Sequence, residues 1–277
     1  MTGFINVLKP EGVGSTKVVG RVKYLLKTPC GHLGTLDPLA CGVLPVAVGN
    51  AARLFDYFLS KQKRYFARFV FGATTATLDR EGEIVRGGRV PSAEEVRAAL
   101  PAFVGDIMQV PPQYSAVSVN GRRGYDLARR GAEFDLPPKK VHIFSFALAE
   151  QTAEDEFCFD IACGGGTYIR SLARDLAAAL GTTGYMSFLC RTESGPFTFS
   201  TGVPFNVLTA ENVRDFLIPT QDVLPFPVLE GADARIFHGV GVPVDAADGQ
   251  YKLFSGGAFY GIARVREGIA RAEKKLC

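Results

Sequence analysis

The sequence contains no tryptophan, only three histidines, and six cysteines that form no Cys-x-x-Cys pair. A structural zinc site needs closely spaced Cys and His ligands, so this composition disfavours one. The thiols are Cys30, Cys41, Cys158, Cys163, Cys190 and Cys277. We expect them to be reduced and mostly buried in the core, and we expect no metal at the functional site.

Long apolar runs are also missing. No segment approaches the roughly 18 consecutive apolar residues of a membrane-spanning helix, and the N-terminal residues lack the pattern of a secretion signal. The net charge of +3 is too small to indicate a nucleic-acid partner by itself. With 47% hydrophobic and 21% charged residues, the composition is that of a soluble globular protein, which we expect in the cytoplasm.

The length of 277 residues predicts one large domain with a small appendage rather than two equal domains. Apolar and β-branched runs predict strands at residues 4–8, 65–72, 141–149 and 156–163. Glycine-rich residues 30–50 predict a loop between elements, where functional side chains often lie. Composition and pattern alone indicate an α+β protein.

Apolar residues at helical spacing predict four helices. These follow Ser15 as an N-cap, Ser92 in a Ser-x-x-Glu capping box, Tyr168, and Thr209 as an N-cap. After Pro225 the sequence turns into short, glycine-punctuated segments of β character, which predict a small C-terminal β domain.

Residues 109–140 differ in composition from their surroundings, because they combine two Pro-Pro pairs with aromatic and basic side chains. This pattern predicts an exposed excursion from the core, able to contact phosphates and bases. The side chains concerned are Tyr114, Arg122, Arg123, Tyr125, Arg129, Arg130, Lys139 and Lys140.

One carboxylate, Asp37, stands in the apolar and glycine-rich residues 31–45. Pro38 restricts Asp37 to extended backbone conformations, and the glycines allow another chain to approach closely. A carboxylate held out of water is expected to be paired or reactive. An aspartate that only caps the turn through neighbouring amides would fit the same pattern, so these residues leave both interpretations open.

Residues 31–44 resemble the GHxGTLDPxAxGVL signature of the TruB family of pseudouridine synthases and match it at every defined position. Residues 63–65 are similar to the family's K-x-Y element, and residues 166–172 to its GTYIRxL motif. Residues 110–129 resemble the VPPxYSAxxxxGxxxYxxAR segment, and residues 189–192 resemble L-x-R-T. The resemblance therefore covers most of the chain.

The resemblance implies a role for several side chains. It makes Asp37 the catalytic residue and places Arg170 against it, where a guanidinium would hold the carboxylate in its charged form. The implied substrate-binding residues are His32, Tyr65, Tyr168, Arg170 and Leu189. Two positions depart from the family pattern: Leu8 stands where an Asp is usual, and Ala76 replaces the first Asp of a T-D-T-x-D-x-x-G element.

The same resemblance implies a pseudouridine synthase fold for residues 1–224, with a mixed, largely antiparallel sheet and flanking helices. Residues 109–140 would be an RNA-gripping insertion, and residues 225–277 a small PUA-like RNA-binding domain. The implied reaction converts a uridine in the T-loop of tRNA, at position 55, to pseudouridine after the base is flipped out. It needs no cofactor, guide RNA, membrane or protein partner, and a monomer is expected.

Two alternatives remain. One is an RNA-guided synthase of the dyskerin kind, which shares the Leu-Asp-Pro motif. The other is an RNA-binding or tRNA-folding protein with vestigial catalysis. For an active enzyme, Asp37 could attack C1′ of the ribose, abstract a sugar proton to give a glycal, or add to C6 of the base.

If the basic excursion grips RNA, removing residues 116–136 should weaken tRNA binding and reduce its salt dependence. The segment carries four arginines, and each phosphate contact adds roughly 0.7–0.9 to the slope of log affinity against log salt. A full-length variant with Arg122, Arg123, Arg129 and Arg130 changed to glutamine separates charge from chain length. Filter binding between low and physiological salt measures the slope. An unchanged slope in both variants would show that this segment does not contact RNA phosphates.

Overall fold

The computed structural model describes residues 1–59, 61–115, 118–119, 122–123, 134 and 136–276. Much of the predicted RNA-gripping insertion, including Tyr125, Arg129 and Arg130, lies outside the described residues. The described part contains a ten-stranded sheet, a four-stranded sheet and two short two-stranded ribbons.

The strands in chain order are β1 (Gly3–Lys9), β2 (Cys30–His32), β3 (Cys41–Val48), β4 (Lys63–Phe71), β5 (Ala73–Thr74), β6 (Val85–Arg86), β7 (Gly105–Gln109), β8 (Ser118–Val119), β9 (Arg122–Arg123), β10 (Lys139–Gln151), β11 (Glu156–Cys163), β12 (Gly184–Ser194), β13 (Phe197–Thr198), β14 (Val203–Pro204), β15 (Val242–Pro243), β16 (Gly249–Ser255), β17 (Ala258–Arg266) and β18 (Ile269–Lys275). The α-helices are α1 (Ser15–Leu26), α2 (Phe55–Leu59), α3 (Ala93–Ala99) and α4 (Ile169–Ala179). Short 3₁₀ helices cover Gly49–Leu54, Leu100–Phe103, Phe199–Thr201, Phe205–Val207, Thr220–Asp222 and Ala234–His238.

The large sheet has the order β14-β1-β3-β12-β4-β11-β10-β7, with β2 beside β3 and β13 beside β12. Only β1–β14 and β3–β12 are parallel pairs among its ladders. The predicted mixed, largely antiparallel sheet is therefore confirmed. The parallel β3–β12 pair matters for the site, because it places residues 41–42 of the motif that contains Asp37 beside residues 190–191 of the L-x-R-T motif.

Helices α1 and α4 cover the sheet through apolar faces. In α1, Val18, Val22 and Leu26 recur every four residues and are buried. In α4, Leu172 and Leu176 are completely buried, and both helices share one core cluster with the strands. Burying each such side chain contributes about 1.5–3 kcal/mol, so these two stripes hold the helices on the sheet.

The C-terminal strands β15–β18 form an antiparallel sheet with its own small core. Part of this sheet also packs on the large sheet, since Ile262 and Leu276 share a cluster with Phe4 and Phe58. The rings of Phe4 and Phe58 meet edge to face at 5.2 Å between centroids. A small C-terminal β unit is present as predicted, and its boundary at residue 225 stays a prediction.

Two predicted helix starts differ from the structure. Ser15 is the first residue of α1 rather than its N-cap, which is Gly14 without a side-chain cap. The predicted helix after Thr209 is wrong. The side chains of Thr209 and Asn212 each accept a hydrogen bond from the other residue's backbone N–H around a turn, and the chain then becomes extended. Ile218 exchanges two backbone hydrogen bonds with Phe4, a pairing that a helix could not make.

The predicted loop at residues 30–50 is also partly wrong, since β2 and β3 occupy both of its ends and leave only residues 33–40 as a loop. Nearly all of β3 is buried, because it pairs with β1 on one side and β12 on the other. The expectation of mostly buried cysteines fails as well. Among the described cysteines only Cys158 and Cys163 are buried.

Gly42 has φ +99°, and a Cβ there would lie 2.2 Å from the backbone oxygen of Arg191 in the neighbouring strand. Gly105 has φ +97° with nothing within 4 Å of its Cβ position, which makes it a matched control. We expect Gly105→Ala to cost about 1–2 kcal/mol of unfolding free energy through backbone strain alone. Gly42→Ala should cost about 2–5 kcal/mol, because overpacking adds to that strain.

Denaturant unfolding of both variants measures the difference. Equal losses for the two alanine variants would show that the β3–β12 contact tolerates a side chain. A Gly42→Ala protein that fails to accumulate while Gly105→Ala folds normally would agree with the expectation.

Candidate active site

The site is built on the loop of residues 33–40, which links β2 to β3 and carries Asp37. Three leucines of this loop, Leu33, Leu36 and Leu39, are each at most 3% exposed. They anchor the loop in the core from both sides of Asp37. The side chain of Asp37 keeps 35% of its surface exposed, so the loop presents this carboxylate to its surroundings.

Polar contacts fix the loop backbone from the N-terminal side. Ser15 Oγ donates to the Leu36 carbonyl at 2.8 Å and accepts from the Leu36 N–H at 2.9 Å. Lys9 Nζ donates to the Pro38 carbonyl at 3.2 Å. Burial lowers the pKa of Lys9 to about 8. Ser15 therefore serves the loop rather than the helix, which explains why it does not cap α1.

A fully buried arginine fixes the loop from the other side. Arg191 in β12 is 1% exposed, and its Nε donates to the Val43 carbonyl at 2.7 Å. Its Nη2 donates to the Gly34 carbonyl at 3.0 Å, and its Nη1 to that of Thr35 at 3.5 Å. Sequence reasoning gave Arg191 no role. The available signal was its place as the arginine of the L-x-R-T motif at residues 189–192.

Arg170 pairs with the carboxylate of Asp37. Its Nε lies 2.9 Å from Asp37 Oδ2, and its Nη1 lies 3.4 Å from Asp79 Oδ2. The guanidinium also donates to the carbonyls of Thr77 and Tyr114, each at 3.0 Å. The Arg170 side chain is only 6% exposed. The guanidinium thus bridges two carboxylates and holds one oxygen of Asp37 in a defined direction.

Asp79 was not predicted as a site residue. Its side chain is 4% exposed and accepts from Thr77 Oγ1 at 2.6 Å and from the Glu81 N–H at 3.1 Å. Ala76, one of the two departures from the family pattern, is exposed nearby. The carboxylate that contacts Arg170 is therefore retained in this chain despite the alanine at position 76. The other departure, Leu8, is partly buried and would meet a Cβ at Gly202.

Asp37 opens into a cavity of about 230 Å³. A cavity of about 150 Å³ accommodates a benzene ring, so this one has room for a pyrimidine base. Five of the six predicted site residues line it together with two unpredicted cations: Asp37, Tyr65, Tyr168, Arg170 and Leu189, with Lys63 and Arg191.

His32, the sixth predicted residue, is not among the described residues that line the cavity. It lies in β2, and no described group hydrogen-bonds its buried Nδ1. Burial, followed by the charge of Arg191, lowers the pKa of His32, which favours the neutral imidazole.

Burial also determines the protonation of the other ring and amine groups. It raises the pKa of Tyr65 to about 12 and raises that of Tyr168, so both phenols stay protonated at neutral pH. It lowers the pKa of Lys63 to about 8, and the nearby charge of Arg191 lowers it further. At neutral pH the cavity thus combines protonated phenols with cationic groups and a carboxylate.

Gln109 positions Tyr168 at the start of α4. Its Oε1 accepts from the Tyr168 N–H at 2.8 Å, and its Nε2 donates to the Tyr168 carbonyl at 3.1 Å. Ser171 Oγ donates to the Val110 carbonyl at 2.8 Å. These bonds tie the chain entering the predicted insertion to the helix that carries Arg170.

Within the described ranges, no group of three or more His, Cys, Asp or Glu side chains is placed to hold a metal ion. No helix of the described chain has the length and apolar character needed to cross a membrane.

The sequence model for the N-terminal domain of TruB family pseudouridylate synthases matches residues 23–169. The chain is 40% identical over 244 residues to tRNA pseudouridine synthase B of Caulobacter vibrioides, covering 86% of this chain and 79% of that protein. It is 46% identical over 231 residues to the Anaplasma marginale protein of that name, covering 83% and 75%. For the Gluconacetobacter diazotrophicus protein the identity is 38% over 297 residues, covering 99% and 97%.

Solved structures share the fold. A Cbf5-Nop10-Gar1 complex matches with a TM-score of 0.74 and 24% identity, covering 99% of this chain and 85% of that chain. An H/ACA RNP bound to a substrate RNA containing 2′-deoxyuridine matches with a TM-score of 0.71 and 22% identity, with the same coverage. At this level of identity the likeness concerns the fold alone, and it confirms the predicted pseudouridine synthase fold.

Replacing Arg170 tests whether the ion pair supports the fold. Arg170→Ala leaves the buried Asp79 carboxylate unpaired, so it should lower the unfolding free energy by about 3–5 kcal/mol. Arg170→Lys keeps a positive charge without the planar guanidinium, so it should lower the unfolding free energy by less than Arg170→Ala does. Arg174→Ala, one turn later, removes a 33% exposed side chain paired with Asp175 and should cost less than about 1 kcal/mol.

Urea denaturation of the three variants provides the comparison. If Arg170→Ala and Arg174→Ala lose the same small amount, Arg170 does not hold a buried carboxylate in solution.

Proposed function

The chain belongs to the TruB family of pseudouridylate synthases and is an isomerase that modifies tRNA, and we propose that its target is the T-loop uridine at position 55, with Asp37 as the catalytic carboxylate. The observation that carries the proposal is the Asp37 carboxylate, held by Arg170 at 2.9 Å and open to a base-sized cavity. A solitary structural aspartate would not need a buried guanidinium and an adjoining cavity.

The reaction breaks the bond between N1 of uracil and C1′ of the ribose, turns the base, and joins C5 to C1′. The C5 proton leaves, and N1 gains one, so no atom is added and no electron donor is needed. Asp37 would act at C1′, at a sugar proton or at base C6, and all three routes require an ionised carboxylate.

Arg170 acts on the nucleophile rather than on the base in this proposal. Its Nε lies 2.9 Å from Asp37 Oδ2 and fixes that oxygen of the carboxylate beside the cavity. Positioning of one oxygen lowers the entropy that the reacting groups lose on reaching the transition state. The second carboxylate, Asp79, holds Arg170 in place from behind.

The uracil would be held by side chains on several sides. Tyr65 and Tyr168 contribute aromatic surface, and Leu189 contributes an apolar wall. Because its raised pKa keeps Tyr65 protonated, we assign Tyr65 to stacking or hydrogen-bond donation rather than to proton abstraction. His32 remains a proposed contact to the extruded nucleotide, made from outside the cavity.

The tRNA would also contact the predicted 109–140 insertion and residues 225–277. Basic groups of the C-terminal sheet that would face phosphates are Arg264, Arg266, Arg271, Lys274 and Lys275. Three of them already have protein partners, since Arg264 pairs with Glu273 at 3.0 Å, Lys274 Nζ donates to the Arg53 carbonyl at 3.0 Å, and Lys275 Nζ lies 5.4 Å from the centroid of the Tyr260 ring. Arg266 and Arg271 are therefore the first choices for substitution in this sheet.

We further propose that the enzyme acts alone, as a monomer in the cytoplasm, without guide RNA, cofactor or metal. The alternative is guided action, as in the RNP to which the fold is similar. A purified protein that modifies a bare tRNA transcript supports the first. A protein that requires added guide RNA supports the second.

We expect Asp37→Asn to abolish isomerisation while tRNA affinity stays within a few-fold, because the reactive carboxylate is lost and the other contacts remain. The measurement is single-turnover reaction of excess enzyme with an unmodified tRNA transcript, followed by site-resolved pseudouridine mapping and filter binding. Asp106→Asn, which changes an exposed carboxylate paired with Lys140, is the matched control and should keep full activity.

Turnover by Asp37→Asn comparable to that of the unchanged protein would remove Asp37 from the chemistry. Pseudouridine formed at a different uridine by the unchanged protein would contradict the T-loop target while leaving the family assignment intact. A protein that binds tRNA tightly and modifies none would favour the tRNA-folding alternative.

A further inference from the structure

Two thiols lie side by side at the start of the β3–β12 ladder, which supports the loop of residues 33–40, the catalytic loop of the proposed function. Cys41 begins β3, Cys190 lies in β12, and the two are Cα partners in the parallel register. Both are partly exposed. Register partners in neighbouring strands direct their side chains to the same face with a strand spacing of about 4.8 Å. This spacing falls within the roughly 4.4–6.8 Å over which a disulfide can form.

Cys41 also differs from the other described cysteines in the direction of its pKa shift. Hydrogen bonding between the two thiols lowers the pKa of Cys41 and raises the pKa of Cys190. The Lys9 ammonium acts in the same direction on Cys41. By contrast, burial raises the pKa of Cys30 and Cys163. Since the thiolate is the nucleophilic form, Cys41 is the most reactive of these thiols and has a second thiol in reach.

The pair is connected to the site through Arg191. Gly42, next to Cys41, packs so closely on the Arg191 backbone that it allows no Cβ. Arg191, next to Cys190, binds the carbonyls of Gly34 and Thr35 in the catalytic loop. A change in the distance between β3 and β12 at this point would be transmitted to the loop that carries Asp37.

We propose that Cys41 and Cys190 form an oxidative modification site, where hydrogen peroxide converts the dithiol to an intramolecular disulfide that ties β3 to β12 and slows isomerisation. The Cys41 thiolate attacks one peroxide oxygen, the O–O bond breaks, and a sulfenic acid forms while the other oxygen leaves as water after protonation. The Cys190 sulfur then attacks the Cys41 sulfur and displaces a second water. Each sulfur is oxidised by one electron, and the hydrogen peroxide is reduced to two waters.

The loss of activity follows from geometry. Disulfides most often span Cα atoms about 5.5–6 Å apart, whereas paired strands are about 4.8 Å apart. A bond closed at that more common separation would move the strands apart by up to about 1 Å where Arg191 holds the catalytic loop. A displacement of that size near reacting groups costs up to about 100-fold in rate.

The first test is thiol mapping, which does not depend on the proposed function. The whole protein is treated with stoichiometric hydrogen peroxide at neutral pH, free thiols are alkylated, and non-reduced peptides are identified by mass spectrometry. We expect one species in which the peptides of Cys41 and Cys190 are joined, which dithiothreitol separates. Cys30 and Cys163 should remain alkylatable. Sulfinic acids on unlinked Cys41 and Cys190, or earlier oxidation of Cys30 and Cys163, would overturn the proposal.

The second test, which relies on the tRNA activity, compares single-turnover rates before and after oxidation. The oxidised protein should be at least about tenfold slower, and dithiothreitol should restore the rate. Cys41→Ser and Cys190→Ser should each retain the starting rate and resist peroxide, whereas Cys30→Ser should stay sensitive. A mapped disulfide with an unchanged rate would refute the effect on catalysis and leave the modification site standing. Inactivity of the reduced protein would count against the proposed function instead.

Discussion

The buried guanidinium of Arg170 is the interaction on which the rest of the site depends. A charge out of water costs several kcal/mol unless it is paired and hydrogen-bonded. Arg170 meets that requirement with the carboxylates of Asp37 and Asp79 and with the carbonyls of Thr77 and Tyr114. These partners come from the loop of residues 33–40, the segment between β5 and β6, and the chain entering the predicted insertion. The pocket is therefore complete only when separate parts of the large domain have folded together.

A second arginine, Arg191, holds the backbone of the loop that carries Asp37. Arg191 binds carbonyls of the loop of residues 33–40 from β12, and Ser15 binds the same loop from α1. The parallel pairing of β3 with β12 places Arg191 there, because Gly42 and Arg191 are register partners. The loop is thus held by hydrogen bonds at its backbone while the Asp37 side chain keeps 35% of its surface exposed, as a site that must position one carboxylate requires.

How far the sequence predicted this arrangement depended on whether the deciding contacts were local. The strands at residues 141–149 and 156–163 and the Ser92 capping box were confirmed, since alternation and capping are properties of neighbouring residues. The segment after Thr209 was predicted as a helix from its capping residue. The pairing of Ile218 with Phe4 that replaces a helix could not be predicted locally, because it depends on a strand that is remote in sequence. The contact of Asp79 with Arg170 was missed for the same reason, as it joins residues far apart in the chain.

The most direct test of the account is a structure of the Asp37→Asn variant bound to a T-arm RNA. The account predicts that the T-loop uridine is extruded into the cavity between Tyr65 and Leu189. Its C1′ should lie within about 3.5 Å of the residue 37 side chain, the distance of a near-attack arrangement. A uridine that remains stacked in the RNA, or that is extruded to a different part of the surface, would contradict the assignment of this cavity as the active site.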